Sequence, residues 1–318
     1  MDLASLCNFN KTLLEEKIKA IINKDPNLPE HYREHLSQLL FSSGKRIRPI
    51  FTVLGSYFGN ADQDQVYNLA AIFELIHTAS LIHDDIIDKA ELRRGKPTLH
   101  TIYGTTNALI LGDYLVSLCC ETVSNFEFEE VYYNDFHLTD LCRSEITQQR
   151  LLFNFDITYE DYITKTKNKT ALLIAASLLG GAKLAGVDEK TLKKLYIYGI
   201  NLGISFQIND DILDFTQDTT HLGKPNGADL MNGNITLPVI LALKDKKINK
   251  HIRNLSKQSP IEDFNYCIKY IKNSKWIKKS HRISRKYLKK AKKAIKGLKH
   301  DKKALLIEIL DMLDKRTH

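Results

Sequence analysis

The sequence has few of the features that mark secreted, membrane-spanning or zinc-binding proteins. Its 318 residues contain five cysteines, an odd number without the spacing of a zinc site. No run of 18 uncharged apolar residues predicts a transmembrane helix. The first 18 residues mix charged with apolar side chains, unlike a secretory signal. We therefore expect a cytoplasmic protein whose thiols are reduced.

Proline is scarce too, with seven residues, and alternating runs typical of β-strands are few. Apolar residues instead recur at helical spacing along nearly the whole chain. A hydrophobic content of 43% is sufficient for a large core. Because no linker or internal repeat interrupts this pattern, we predict an all-α fold that forms a single domain over residues 1–318.

Positive charge is concentrated in the last quarter of the chain. From Lys244 onward there are 24 Lys and Arg residues against 7 Asp and Glu, within a chain of net charge +8. Such an excess is typical of contacts with nucleic acid, an anionic membrane or an acidic partner, and also of solvated helix faces. The segment lacks interleaved aromatic residues and glycine-rich loops, so we expect no nucleic acid. Peripheral membrane contact and a solvated face both stay open.

One acidic pattern occurs twice. Asp-Asp-x-x-Asp lies in apolar surroundings at residues 84–88 and again at 210–214. On a helix, the first and last Asp of each motif lie one turn apart on the same face. Clustered carboxylates repel one another, and a hard cation such as Mg²⁺ offsets that cost while keeping positions for water and substrate phosphates. One motif is equally consistent with a solvated acidic face, but two favour metal sites that hold a diphosphate.

Basic residues lie near both motifs in the sequence. Three cations fall within residues 44–49, Arg93 and Arg94 follow the first motif, and Lys169 and Lys224 flank the second. Arginine offers a planar fork for phosphate, and lysine offers a point charge. Each basic site alone is typical of a solvated surface. Together with the acidic motifs, they predict a site for two diphosphates and several Mg²⁺ ions.

The order of these motifs resembles the trans (E-type) isoprenyl diphosphate synthases, the polyprenyl synthetase family. The resemblance rests on Gly-Lys-Arg-Ile-Arg-Pro at 44–49, the run from His77 to Asp88, Arg-Arg-Gly-Lys-Pro-Thr at 93–98 and Phe-Gln-Ile-Asn-Asp-Asp-Ile-Leu-Asp at 206–214. It extends from about residue 44 to 238 and more loosely to the end. It implies an all-α isoprenoid-synthase bundle around a central cavity, and a magnesium-dependent prenyltransferase.

The resemblance also implies a role for each matching residue. The first motif would hold two Mg²⁺ ions through Asp84, Asp85 and Asp88. The second motif would hold a third ion through Asp210, Asp211 and Asp214. The allylic diphosphate would contact those ions and Arg93, Lys169 and Lys224. The diphosphate of isopentenyl diphosphate would contact Lys45, Arg48, His77 and Arg94. The reacting carbons would be lined by Thr170 and Gln207, which would steady the developing carbocation.

One position departs from the family pattern. The family commonly has Gly-Lys-x-Thr-x-Pro after the second motif, whereas this chain has Asn234 in place of the lysine. The stretch 222–233 is especially similar to component II, the catalytic subunit of two-component hexaprenyl and heptaprenyl synthases. The resemblance therefore implies a homodimer, or a heterodimer with a small regulatory subunit.

The residues that precede the first motif predict the length of the product. Each helical turn rises about 5.4 Å, roughly one isoprene unit, so a growing tail would pass the side chains one and two turns before Asp84. Those residues are Ala79 and Ser80, with Ile76 one turn deeper. Family members with short products tend to have Phe or Tyr at the first two positions. Small residues also suit helix packing, but with the component II resemblance they predict a long product.

We therefore expect a long-chain trans-polyprenyl diphosphate synthase. It would condense isopentenyl diphosphate with farnesyl diphosphate to about C30–C35, as a precursor of quinone side chains such as that of menaquinone. The alternatives are a geranylgeranyl diphosphate synthase, a terpene cyclase, a regulatory subunit and a magnesium-binding structural protein. A cyclase needs no second diphosphate site, and regulatory subunits usually lack one or both acidic motifs.

Overall fold

The computed structural model describes residues 2–41, 44–93, 95–124, 138–216 and 226–315. Within these ranges the chain is almost entirely helical, and a two-stranded hairpin supplies the strand residues. The prediction of an all-α fold is therefore confirmed. The chain divides into two compact units, and the prediction that they form a single domain stays a prediction.

The first unit comprises residues 1–133, 176–193 and 300–305. Its helices are α1 (Leu3–Leu6), α2 (Lys11–Ile22), α3 (Glu30–Leu40), α4 (Ile47–Ser56), α5 (Gln63–Ile87) and α6 (Leu99–Ser124). Between α5 and α6 lie the antiparallel strands β1 (Leu92–Arg93) and β2 (Lys96–Pro97).

Helix α5 is the centre of the first unit. Asp62 begins it, because its carboxylate accepts a hydrogen bond from the Asp64 backbone N–H (3.0 Å). Apolar residues then lie on most sides of the helix, so α5 packs against α2, α4 and α6 and belongs to the buried core of this unit. A central, buried helix gives its C-terminal end, where the first acidic motif lies, a rigid support.

The second unit comprises residues 134–175, 194–299 and 306–318. Its elements are α7 (Leu138–Arg150), α8 (Tyr159–Thr166), a π-helical turn (Lys167–Ala171), α9 (Leu172–Leu184), α10 (Glu189–Thr216), α11 (Ala228–Met231), α12 (Leu237–Ala242), α13 (Lys246–Arg253), α14 (Ile261–Lys272), α15 (Lys275–Ala294) and α16 (Lys303–Lys315). The chain passes from one unit to the other within α9, α10 and α16.

A second hydrophobic core holds this unit together. Phe215 and Ile208 of α10 are fully buried in it, together with apolar residues of α8, α12 and α14. Thr158 and Asp161 form a capping box at the start of α8, which fixes where that helix begins. The core therefore supports α8 and α10, the two helices that carry most of the second candidate site.

Helix α15 separates apolar and basic residues completely. Trp276, Tyr287 and Leu288 lie on its buried side, whereas all its exposed residues are Lys or Arg. Much of the positive charge of the last quarter therefore lies on a solvent-facing surface. Within the described part of the chain, no helix has the length and apolar character needed to cross a membrane.

Candidate active site

The first acidic motif ends helix α5. Asp85 is buried, Asp84 is half-buried, and Asp88 is the exposed C-terminal cap. The C-terminal end of a helix carries partial negative charge, and no basic residue lies in the last turn of α5. Three carboxylates therefore gather where the helix itself disfavours negative charge. This local excess is a reason, independent of any motif, to expect a cation here.

The buried middle residue of this motif already has a protein partner. Arg93 Nε donates to both carboxylate oxygens of Asp85 at 2.8 Å, and Nη2 lies 2.7 Å from Oδ1. Arg93 reaches back to α5 because it lies on the hairpin, whose turn includes Gly95 with φ +76°. Asp85 is thus fixed, and Asp84 and Asp88 present the outward carboxylates. Arg94 lies outside the described residues.

The basic segment 44–49 is attached to α5 by a buried ion pair. Arg46, with φ +46° just before α4, contacts Glu74 on α5 and the carbonyl oxygen of Leu40. Both side chains of the pair are about 6–7% exposed. Of the three cations in this segment, Arg46 is buried, Arg48 is half-buried and Lys45 is exposed.

Glu74, the partner of Arg46, also lies close to His77 along α5. The two residues lie about one turn apart on α5, and His77 is half-buried. The structure therefore brings the segment that carries Lys45 and Arg48 to the helix that carries His77. Sequence reasoning missed Glu74, although a single acid between Phe73 and Leu75 in an apolar helix is a usable signal for a buried pair.

The second acidic motif, on α10, is arranged like the first. Its middle residue, Asp211, is only 3% exposed, whereas Asp210 and Asp214 are half-buried. Tyr162 Oη donates to Asp211 Oδ2 at 2.5 Å, and Gln207 Nε2 donates to Oδ1 at 2.8 Å. In both motifs, then, the middle carboxylate is buried against protein donors.

A π-helical turn positions the polar residues beside this motif. Thr170 Oγ1 in the turn donates to Gln207 Oε1 at 2.7 Å, which continues the hydrogen-bonded chain to Asp211. Lys169, also in the turn, pairs with Glu145 of α7 at 2.7 Å. Single π-helical turns occur often at functional sites because the extra residue redirects neighbouring side chains. The turn lies where the sequence predicted Lys169 and Thr170 to act.

The short helix α11, after the motif, adds a further acid. The backbone N–H of Asp229 donates to Asp214 Oδ2 at 3.3 Å. Burial raises the pKa of Asp214 to about 8, and the charge of Asp229 adds to that rise. Burial and then Asp229 likewise raise the pKa of Asp211. Lys224, which the sequence placed near this motif, lies outside the described residues.

The carboxylates of the two motifs fit an Mg²⁺ site that water and substrate phosphates complete, better than one built from protein ligands alone. Among the residues that the structure describes, no three His, Cys, Asp or Glu side chains already form a metal site. Mg²⁺ is usually bound by one or two protein carboxylates together with waters and substrate phosphates. Carboxylate oxygens on one helix face are the type of ligand that meets this requirement.

Asn234, the departure from the family pattern, is part of this network. Its Oδ1 accepts a hydrogen bond from Lys165 Nζ at 2.6 Å, and its Nδ2 donates to Asp229 Oδ1 at 3.1 Å. Gly233, with φ +79°, lets the loop pass Phe153, since a Cβ there would lie 2.4 Å from that ring. Sequence reasoning also missed Lys165 and Asp229. Lys165 lies four residues before Lys169, a spacing that marks one helix face.

A stripe of accessible residues runs along α5 from the first motif. From Leu69 to Ile82 every residue is buried except four, which are Ile76, His77, Ser80 and Leu81. They share one face of the helix with Asp84. Ala79 is buried beside this stripe, and Ser80 Oγ donates to the carbonyl oxygen of His77 at 2.7 Å. The stripe therefore presents mainly carbon atoms.

The stripe ends at an aromatic residue. Phe73, 8% exposed, lies on the same face eleven residues before Asp84, which is about 16 Å along the helix. A Cβ at Gly180 would lie 3.2 Å from Phe73 Cε2 and 2.9 Å from Leu69 Cδ2. Gly180 of α9 thus allows these two side chains to pack closely against it.

Comparison with known proteins identifies the family. The family model for polyprenyl synthetases matches residues 29–271. The chain belongs to the polyprenyl synthetase family. Heptaprenyl diphosphate synthase component 2 of Geobacillus stearothermophilus is 39% identical over 284 residues, which are 88% of this chain and 88% of that protein.

Solved structures agree with this assignment. Heptaprenyl diphosphate synthase from Staphylococcus aureus has a TM-score of 0.88 and 35% identity, covering 100% of this chain and 99% of that one. A polyprenyl synthase from Caulobacter crescentus CB15, complexed with calcium and isoprenyl diphosphate, has a TM-score of 0.86 and 30% identity, covering 99% and 97%. The predicted family, all-α isoprenoid-synthase fold and prenyltransferase class are confirmed.

Proposed function

We propose that this polyprenyl synthetase is a long-chain trans-polyprenyl diphosphate synthase. It condenses isopentenyl diphosphate with farnesyl diphosphate to about C30–C35, for a quinone side chain. The observation that carries the proposal is the shared design of the two acidic motifs. In each, a buried middle Asp is held by the protein, and the first and last Asp lie one turn apart on the same helix face. Such a design suits repeated binding of diphosphates with Mg²⁺.

The side chains divide between the two substrates. Asp84 and Asp88 in one unit, and Asp210 and Asp214 in the other, are the proposed Mg²⁺ ligands, while Asp85 and Asp211 fix their helices against protein donors. Mg²⁺, when bound, neutralises diphosphate oxygens and so makes pyrophosphate a better leaving group. The allylic diphosphate is held by Arg93, Lys169 and Lys224. The other diphosphate is held by Lys45, Arg48, His77 and Arg94.

The proposed reaction needs little acid–base chemistry from the protein. The C1–O bond of the allylic substrate breaks, the double bond of isopentenyl diphosphate attacks C1, and a proton then leaves to the departing pyrophosphate. Oxygen atoms of Thr170 and Gln207, oriented by their mutual hydrogen bond, stabilise the developing positive charge. Apolar side chains exclude the water that would trap the cation.

The stripe on α5 supports a product longer than C15. A tail that passes Ala79, Ser80 and Ile76 meets no aromatic side chain for about three turns, roughly three isoprene units. Ser80 also directs its hydroxyl to its own helix, so a tail that passes it does not leave this hydroxyl unsatisfied. To reach C30 or more, the tail continues past Phe73.

A shorter product is the second candidate, and Phe73 is the observation that favours it. If the packing of Phe73 against Gly180 closes the stripe, elongation stops near C20, which is a geranylgeranyl product. The variant Phe73→Ala distinguishes the two candidates. It lengthens the product of a C20 enzyme, whereas an enzyme that already extends to C30–C35 keeps its product length.

A subunit partner is part of the proposal. One relative is named as component 2 of its synthase, which implies a second component in that protein. In this chain, α6 carries Leu109 and Ile110 with 47% and 58% exposure, large values for apolar side chains. We propose that α6 contacts a second copy of the chain or a small regulatory subunit. The cytoplasmic location and the peripheral membrane contact stay predictions.

The experiment that tests the function is an assay with radiolabelled isopentenyl diphosphate, farnesyl diphosphate and Mg²⁺. We expect polyprenyl diphosphates of about C30–C35, resolved by chromatography after removal of the diphosphate. The chain is assayed alone and with an extract of cells that express it naturally, to supply any partner. Absence of condensation under both conditions contradicts the proposal, and a product of C20 replaces it with the second candidate.

A further inference from the structure

A second lysine lies one turn before Lys169 and approaches the second acidic motif from α8. Lys165 Nζ donates to Asn234 Oδ1 at 2.6 Å. Asn234 is itself fixed to Asp229 by two hydrogen bonds, one from its side-chain amide (3.1 Å) and one from its backbone N–H to the Asp229 carbonyl oxygen (2.8 Å). The ammonium group is therefore held in place by a side chain with little freedom of its own.

The same chain of contacts reaches the motif. The Asp229 backbone N–H donates to Asp214 Oδ2 at 3.3 Å, so Lys165, Asn234, Asp229 and Asp214 form one connected network. Burial lowers the pKa of the Lys165 ammonium, and the negative charges of Asp211 and Asp229 act in the opposite direction. Lys165 thus lies among the acids Asp211, Asp229 and Glu145 and one further cation, Lys169.

The two lysines on this face differ in how their charge is balanced. Lys169 forms an ion pair with Glu145 at 2.7 Å. Among the described residues, Lys165 forms no ion pair with a carboxylate, and its hydrogen-bond acceptor is a neutral amide. An amide orients an ammonium without neutralising it. The net charge of Lys165 therefore stays available to an incoming anion, and in a partly buried place it acts strongly.

We propose that Lys165, positioned by Asn234, is a further diphosphate-binding cation at the second acidic motif. The inference rests on the proposed function, since it needs a diphosphate at this motif. Asn234 is the positioning residue. It holds the ammonium while its other side-chain hydrogen bond secures Asp229, and so it couples a cation for the substrate to helix α11 beside the proposed metal ligands.

The proposal predicts effects of opposite sign on two ligands. A positive charge beside carboxylates weakens binding of Mg²⁺ alone, because like charges repel. The same charge strengthens binding of pyrophosphate, because a charge-assisted hydrogen bond contributes more than a neutral one. If Lys165 had only a structural role, its loss would loosen the loop that carries Asn234. Binding of Mg²⁺ and binding of pyrophosphate would then both weaken.

The test compares Lys165→Gln with the wild-type chain by calorimetry, using Mg²⁺ alone and then inorganic pyrophosphate at saturating Mg²⁺. We expect pyrophosphate binding to weaken at least tenfold, while the affinity for Mg²⁺ alone stays equal or rises. Lys167→Gln is the matched control, because this half-buried lysine lies in the same helical segment. Pyrophosphate binding within twofold of wild type, or a parallel loss of both ligands, overturns the proposal.

Two further variants separate charge from packing. Lys165→Arg keeps the positive charge and should restore most of the pyrophosphate affinity. Asn234→Asp keeps the size of the side chain but places a carboxylate against Lys165, so pyrophosphate binding should weaken although the lysine is present. If Asn234→Asp binds pyrophosphate as tightly as wild type, Asn234 has no positioning role and the proposal fails.

The experiments distinguish a failure of the Lys165 proposal from a failure of the proposed function. A wild-type chain that binds no pyrophosphate with Mg²⁺ and condenses no substrate overturns both. A wild-type chain that binds pyrophosphate and condenses substrate, while Lys165→Gln behaves identically, overturns the role of Lys165 alone.

Discussion

Within each acidic motif, the middle aspartate and the two outer aspartates have different surroundings, although all three are the same residue type. Asp85 accepts hydrogen bonds from Arg93, and Asp211 accepts them from Tyr162 and Gln207. The outer residues of each motif, by contrast, are half-buried or exposed on one helix face. Position within the motif, and not residue type, therefore separates the side chains that contact protein donors from those that we propose as Mg²⁺ ligands.

Replacement of an outer carboxylate should abolish condensation. We expect Asp84→Ala and Asp210→Ala each to lower kcat by about a thousandfold or more, because metal clamping of the leaving group supplies much of the barrier reduction. Steady-state assays at saturating substrate and Mg²⁺ measure this. Asp311→Ala, an exposed acid on α16, serves as the control and should keep full turnover. Turnover near wild type in either motif variant contradicts the site assignment.

The ion pair of Arg46 and Glu74 should matter for stability. Glu74→Ala leaves a buried guanidinium without its carboxylate, which we expect to lower the free energy of unfolding by about 3–5 kcal/mol. Urea unfolding followed by circular dichroism measures the change. The double variant Arg46→Met with Glu74→Leu removes both charges and should be more stable than the single variant. If the single variant loses under about 1 kcal/mol, the pair is not a structural anchor.

At the scale of elements, two helices expose one face for opposite reasons. Between Leu69 and Ile82, helix α5 is buried except for a narrow stripe beside the first motif, which combines two apolar residues with His77 and Ser80. Helix α15 buries its apolar side and exposes only Lys and Arg. The first pattern suits a hydrocarbon tail, whereas the second carries like charges at spacings of three and four residues, which destabilises a helix slightly.

A bulky side chain beside the α5 stripe should shorten the product. We expect Ala79→Tyr to shift products from C30–C35 towards C15–C20, because the ring would block the tail about one turn below the motif. The first condensation should be largely retained. Chain length is measured by chromatography of labelled products, with Ala79→Ser as the control that adds little volume. An unchanged product length in Ala79→Tyr means that the tail does not follow α5.

A single charge reversal on α15 should stabilise the chain. Lys286→Glu replaces a cation that lies four residues from both Arg282 and Lys290, so two repulsive pairs become attractive. We expect a gain of about 0.5–1 kcal/mol in the free energy of unfolding, smaller at high salt. Lys286→Gln is the control and should give about half the gain. A loss of stability would show that the basic face is compensated elsewhere in the chain.

The whole molecule is a chain of two compact units, and each has its own core and its own acidic motif. The polyprenyl synthetase family model matches residues 29–271 and therefore includes both acidic motifs. Exposed apolar residues on α6 form the kind of surface that another subunit covers, and they are the basis of the proposed subunit contact.

Association should depend on α6. We expect the purified chain, alone or with the proposed regulatory subunit, to sediment as a dimer at micromolar concentration. Ile110→Arg should shift it to a monomer, because a charge would be buried in an apolar contact. Tyr266→Arg on α14, a residue 53% exposed, is the control and should not change the mass. A dimer that survives Ile110→Arg places the interface elsewhere.

The sequence by itself determined the helical class, the two acidic motifs and the family. These features depend on local spacing: apolar residues at helical intervals predict a helix, and an i, i+4 pair of Asp shares a face wherever the helix lies. For the same reason, the helix positions of Ala79, Ser80 and Ile76 before Asp84 were predictable from α5 alone.

Only the tertiary structure decided which polar groups meet. Residues far apart in the chain pair because separate elements pack together, as Arg46 does with Glu74, Tyr162 with Asp211 and Lys165 with Asn234. No local pattern contains these partners. A basic segment such as 44–49 reads as three equivalent cations until packing buries one of them, since burial requires a partner for a charge and exposure does not.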